Sequence, residues 1–200
     1  MNVTAPPNIV FLIGFIVFFW IRHVFINHTK GEAKAVSRFD GLEKILIAIM
    51  FPGTLVFPLI YLFTPLLGFA DYELSGWIRW PGVALMTMSL WLFWRSHADL
   101  GRNWSVSLEL REGHKLVTEG VYRHIRHPMY AAIWLWSVSQ GMILANWLAG
   151  WALVPTFAAM YFFRIPREES LMLEKFDHEY RKYMAETGGL FPRIKPGSRR

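Results

Sequence analysis

Apolar residues are bunched along this chain rather than spaced at one helical or strand period. The bunches fall at residues 9–26, broken only by Gly14, Arg22 and His23, then at 45–63 and 77–94, and in an interval from 127 to 164 that holds no charged residue between its ends. Runs of about 18 or more predominantly apolar residues are read as membrane helices, not as the core of a soluble domain. The interval between His127 and Arg164 is too long for one span of about 20 residues and slightly short for two. Asn146, between Gly141 and Gly150, is the natural place for a reversal, so this stretch predicts a helical hairpin that returns Arg164 to the surface where Tyr130 lies. Pro52, Gly53 and Pro58 predict a bend inside the second run, of a kind that neighbouring helices can satisfy in a membrane.

The segments between the runs are polar. Residues 27–44 and 95–127 form two long connectors, and 101–105 predict a turn followed by a short extended piece at 106–110. From Arg167 the pattern becomes a charged amphipathic helix in which Leu171, Met172, Phe176, Tyr180 and Tyr183 recur at helical spacing, with Gly188 and Gly189 to stop it. Trp77, Trp80, Trp91 and Trp94 sit at the ends of the third run, where interfacial aromatic residues belong. The first run has no early positive charge and no small-residue cleavage site, and reads as an uncleaved span.

Composition sharpens this picture. Of 200 residues, 54% are hydrophobic and 16% aromatic, and the formal charge of +6 could point to nucleic acid. The basic residues, however, lie in the gaps between apolar runs. All 21 Lys and Arg but Arg79 fall in residues 22–44, 95–126 or 164–200. Five spans with the amino terminus outside and the carboxyl terminus in the cytoplasm place those three blocks on one side, as the positive-inside rule requires. With no cysteine, disulfides, thiolate catalysis and Cys-ligated zinc are excluded. The seven histidines form no repeated boxes, although His124 and His127 are three apart, so no metal is expected. No glycine-rich dinucleotide fingerprint and no phosphate loop occurs either.

The chemistry is concentrated in residues 113–130, where histidines, arginines, tyrosines and two glycines crowd together just ahead of an apolar helix that opens on Pro128. A basic loop touching lipid headgroups would not need Tyr122, Tyr130 and the turn residues. Four blocks can be quoted: His114-Lys115-Leu116-Val117, Gly120-Val121-Tyr122, Arg126-His127-Pro128-Met129-Tyr130, and Arg164-Ile165-Pro166-Arg167-Glu168-Glu169. In letters and in spacing these resemble the isoprenylcysteine carboxyl methyltransferase family of integral membrane enzymes, over residues 101–192. The first half resembles that family only in its hydrophobic helices.

The resemblance implies an all-α integral membrane fold of five transmembrane helices, including the C-terminal hairpin, with a cofactor-binding region on the cytoplasmic side. It divides the chain into residues 1–94, with three spans, and a catalytic core at 95–200. The implied cofactor is S-adenosylmethionine, contacted by His114, Lys115, Leu116, Val117, Tyr122, His127, Pro128, Met129, Tyr130 and Glu168. The residue types suit it: an apolar slot for adenine, donors such as His127 or Arg126 for a carboxylate, and aromatic faces near a sulfonium. Each also has a plain structural role available, Tyr as an interface anchor and Glu168 as a helix N-terminal charge. Arg164 lies one helical turn before Glu168 and is the implied catalytic and substrate-binding residue, holding an acceptor carboxylate bidentately, where a bland reading makes it a snorkelling anchor. The implied partners are a lipophilic or prenylated acceptor and the bilayer, with no nucleic acid and no metal. Phospholipid-amine methylation, a sterol-reductase-like enzyme using NADPH, and a non-enzymatic membrane scaffold remain open.

Overall fold

The first helix, α1 (Pro6–His28), is apolar all the way round from Ile9 to Ile21. Phe11, Phe15 and Phe18 are buried, whereas Ile9, Ile13, Ile16 and Trp20 on another face are exposed. A helix in water would not leave that second face bare, and a helix in lipid has no reason to cover it. The computed structural model describes residues 4–28, 34–37, 40–104, 109–111 and 115–193. Among them three helices are long and apolar enough to cross a membrane: α1, the helix over Gly41–Phe63, and the one within Trp147–Glu186. The architecture is thus the helical membrane fold expected. Its one addition is a small antiparallel ribbon of β1 (Lys34–Ser37) and β2 (Glu109–Arg111). The second strand carries the end of the extended piece expected at 106–110, and residues 106–108 lie outside the described residues.

The second helix begins as α2 (Gly41–Phe51), where Asp40 caps it by accepting the Glu43 amide at 3.0 Å. It passes through a π-helical turn at Pro52–Val56 into α3 (Phe57–Phe63). The backbone carbonyl of Gly53 accepts a hydrogen bond from the buried Gln140 side chain at 2.9 Å, and Gln140 also donates to the Ala149 carbonyl at 2.7 Å. A β-carbon at Gly53 would meet the Leu153 backbone nitrogen at 2.9 Å. The Pro-Gly irregularity therefore lets two helices approach closely, with a side chain from a third satisfying the distorted backbone.

The largest packed interface joins α4 (Arg79–Leu100) to α5 (Pro128–Leu144). Small residues allow it: the Ser89 hydroxyl donates to the Ala132 carbonyl at 2.7 Å. Phe18 of α1 stacks on Phe93 at 4.3 Å between ring centres and meets Trp136 at 4.9 Å, which closes the core. The third helix differs from the expected run at both ends. Trp77 belongs to a preceding 3₁₀ turn, and α4 continues beyond Trp94 to Leu100. Its last turns stay helical because Ser96 and His97 bond back to the carbonyls of Leu92 and Phe93, at 2.6 and 2.7 Å, while Arg95 pairs with Asp99 at 2.6 Å.

The hairpin reverses where expected. Ala145 takes the left-handed conformation after α5, and Asn146 caps α6 (Trp147–Trp151) by accepting the amides of Leu148 and Ala149 at 3.0 and 2.8 Å. The same side chain donates to the Leu67 carbonyl and to Asp71, both at 2.7 Å, so it holds the preceding loop as well. The last helix, α7 (Leu153–Glu186), then runs without interruption through Pro166, and its one non-helical residue is Asp177. The charged helix expected from Arg167 is the continuation of the final apolar helix. Asn146→Ala removes a cap and two further buried bonds, for which we expect a loss of roughly 1–3 kcal/mol. The check is a lower thermal midpoint in detergent than for the unaltered protein, and an unchanged midpoint would deny the side chain this role.

Candidate active site

The polar stretch ahead of α5 is held from three directions. At its start, Asp99 at the end of α4 accepts the Val121 amide at 2.9 Å. Gly120 adopts a positive φ there, and a β-carbon would collide with the Asp99 carboxylate, so this turn needs glycine. In the middle, the buried Tyr122 hydroxyl donates to the Ser96 carbonyl at 3.3 Å, while Tyr183 of α7 donates to the Tyr122 carbonyl at 2.6 Å. At its end, the Arg126 and His127 amides donate to the carbonyls of Gly188 and Gly189 at 2.8 and 3.1 Å. The glycine pair read as a helix stop thus also clamps the loop.

Side-chain charges complete the clamp. The Arg126 guanidinium meets Glu169 at 2.9 Å and also donates to the Thr187 carbonyl. His127 Nε2 reaches the same Glu169 oxygen at 2.9 Å, with Nδ1 3.8 Å from Glu168. The Tyr130 hydroxyl donates to the other oxygen of Glu168 at 2.7 Å. Burial alone would push the His127 imidazole toward its neutral form, but the facing carboxylates of Glu168 and Glu169 outweigh burial and raise it from 6.5 to about 9. Tyr122 is pushed well above the ordinary phenol range, by burial first and by the Glu168 charge next, and stays protonated.

These elements enclose a cavity of about 200 Å³. Of the residues singled out in the sequence, Lys115, Leu116, Val117, Tyr122, His127, Pro128, Met129, Tyr130, Arg164 and Glu168 all line it, and His114 lies outside the described residues. Arg126 borders it too, but its guanidinium is committed to Glu169 and the Thr187 carbonyl rather than left as a donor for a ligand. Among the described residues no group of three or more His, Cys, Asp and Glu gathers as a metal site would.

Sequence reasoning missed Glu43. It is 3% exposed, in the first turn of α2, and its carboxylate lies 3.2 Å from Arg164. One turn along α7, Arg167 pairs with the capping Asp40 at 2.9 Å. The only signal was an acid at the mouth of an apolar run. Trp104, 2% exposed, and Asn103, whose side chain accepts the Lys115 amide at 3.0 Å, were also unassigned and also line the cavity.

Comparison with known proteins fits this geometry. Residues 82–174 match the model of the isoprenylcysteine carboxyl methyltransferase (ICMT) family, bearing out the resemblance read from the motifs. The chain is 27% identical over 144 residues to protein-S-isoprenylcysteine O-methyltransferase B of Arabidopsis thaliana, covering 71% of this chain and 73% of the relative. Its A counterpart from the same plant is 25% identical over 179 residues, covering 88% and 89%. The solved structure of a eukaryotic intramembrane Ras methyltransferase, ICMT, superposes with a TM-score of 0.57 at 24% identity, over 96% of this chain and 70% of that one, which establishes a shared fold.

The His127 linkage gives a pH dependence of known sign. Its folded value of about 9 lies above the ordinary 6.5. The stabilisation from the imidazolium is therefore complete below about pH 6.5 and is lost as pH rises through about 9. Thermal midpoints in detergent at pH 7 and 9.5 should fall more for the unaltered protein than for His127→Gln. Equal falls in both would remove the imidazolium from the account.

Proposed function

We propose that the chain, whose residues 82–174 match the isoprenylcysteine carboxyl methyltransferase family model, moves a methyl group from S-adenosylmethionine to the carboxylate of a prenylated cysteine or a similar lipophilic acid. The observation that carries this reading is the convergence of all four motif blocks on one cavity, whose wall joins Tyr130 to Glu168 across the hairpin. In this reading residues 95–200 are the catalytic core. Residues 1–94 are the membrane-embedded part that lends it Glu43.

The donor set suits the cofactor. Leu116, Val117 and Met129 offer apolar surface, Tyr130 and Glu168 offer a fixed hydroxyl and carboxylate, and His127 Nδ1 is buried without a hydrogen-bond partner. His114, Lys115, Tyr122 and Pro128 complete the proposed contacts. When bound, S-adenosylmethionine supplies a methyl on a sulfonium, so that an acceptor oxygen bonds to carbon while the carbon–sulfur pair returns to sulfur. No proton moves, because an acceptor carboxyl with an ordinary value of about 3.5 is already ionised. The chain's task is then to bind, orient and exclude water. Arg164, fixed by Glu43, orients the acceptor's carboxylate. An amine acceptor would need a general base, and Glu43, Glu168 and Glu169 are each already engaged by Arg164, His127 or Arg126.

Five crossings complete the proposal, with α4 and α5 joining the three long apolar helices, the amino terminus outside and the cavity on the cytoplasmic side. Single cysteines at Ser75 and Lys182, both exposed in this cysteine-free chain, test it by impermeant labelling of intact cells. We expect Ser75→Cys to react and Lys182→Cys to stay unlabelled, and the opposite pattern would reverse the orientation.

The cofactor assignment is tested by calorimetry with S-adenosylhomocysteine on detergent-purified protein. Glu168→Gln should weaken binding by about 1–3 kcal/mol, the usual range for a lost buried polar contact. Glu179→Ala, exposed on α7, serves as the control. Undiminished binding in Glu168→Gln would place the cofactor elsewhere, and no binding by the unaltered protein would sink the reading.

A further inference from the structure

The cavity wall carries a third arginine besides Arg126 and Arg164. Arg22 stands near the C-terminal end of α1 and lines the same cavity as Arg164. Its neighbours on the wall are matched by carboxylates: Arg164 by Glu43 at 3.2 Å, Arg126 by Glu169 at 2.9 Å, and His127 by the same Glu169 at 2.9 Å. Lys115 stands exposed at the rim. Arg22 is half-buried and has no hydrogen bond or ion pair within the described residues. A guanidinium in an apolar helix is costly unless something negative meets it. A snorkelling anchor would reach outward to headgroups, whereas this side chain borders the internal space between α1, α5 and α7.

The charges on this wall point to the missing partner. Because Glu43 already balances Arg164, an acceptor carboxylate brings a negative charge that the Arg164–Glu43 pair cannot neutralise by itself. Among the described residues that line the cavity, Arg22 is the half-buried cation left over, Lys115 being exposed to solvent. We propose that Arg22 is a second acceptor-binding residue, whose guanidinium takes the carboxylate of a lipophilic acid and makes the cavity select acids over amines and neutral esters. This rests on the reading of the cavity as a methyl-transfer site. It adds a specificity that neither the motif blocks nor the matched residues 82–174 contain, since Arg22 lies outside both. It also gives product release a cause. Once the carboxylate oxygen carries the methyl, the ester has no net charge, and the contact that retained the acid no longer holds it.

The test uses the full-length protein in detergent with saturating S-adenosylhomocysteine, and measures binding of N-acetyl-S-farnesylcysteine, its methyl ester, and farnesylamine. The unaltered protein should bind the acid more tightly than the other two. Arg22→Gln should lose about tenfold in affinity for the acid, consistent with one charge-assisted contact, with its affinity for the ester and for S-adenosylhomocysteine unchanged. Arg22→Met, which suits an apolar helix, should do the same and stands in should the Gln variant fail to fold. Full retention of the acid-over-ester preference in either folded variant overturns the proposal, as does an equal loss for acid and ester, which would make Arg22 a packing residue. Failure of the unaltered protein to bind S-adenosylhomocysteine would instead overturn the methyltransferase reading itself. A normal cofactor affinity combined with an unchanged acid preference in the variants counts against Arg22 alone.

Discussion

The interaction on which the rest depends is the set of charges that Arg126 and His127 share with Glu168 and Glu169. His127 is buried at the mouth of α5, and an unmatched buried charge costs several kcal/mol, whereas an exposed pair is worth about 0–1. The loop before Pro128 and the middle of α7 must therefore meet or neither is tolerable. Asn146 makes the meeting possible by turning α7 back along α5, and the carbonyls of Gly188 and Gly189 fix the loop once it has arrived. From that junction the cavity follows. Tyr130 is held by Glu168, and Arg164 sits one turn earlier on the same helix. Through Glu43 and Asp40, α7 draws the start of α2 against it.

Much of this was legible because it is local in the chain. A charge-free interval of awkward length fixes a hairpin, with Asn146 and its flanking glycines marking the reversal. The spacing of Arg164 and Glu168 puts both on one helical face, and the motif blocks name nearly half of the cavity wall. What was not legible is pairing between distant segments, which leaves no period behind. Glu43 sits in what reads as a polar connector, and only the approach of α7 makes it a buried partner of Arg164. Arg126 reads as a ligand donor until the tail carbonyl of Thr187 and Glu169 are seen to occupy it. The end of α4 was misplaced for a related reason: Arg95, Ser96, His97 and Asp99 look like a loop by polarity, yet each finds a partner within its own helix or in the adjoining turn.

The match of residues 82–174 to the isoprenylcysteine carboxyl methyltransferase family model and the geometry of the cavity bear on the same chemistry from different sides. The wall offers fixed cations and engaged carboxylates, which suits an acceptor that arrives ionised and needs no base. The most direct test is to follow a radiolabelled methyl from S-adenosylmethionine onto a prenylcysteine acid in a single turnover by the purified chain, and then treat the product with mild base. The account predicts label on the acceptor, released by base as methanol because it is held in a carboxyl ester. Label that survives base, as an N-methyl group does, or no transfer by protein that binds S-adenosylhomocysteine, would contradict it.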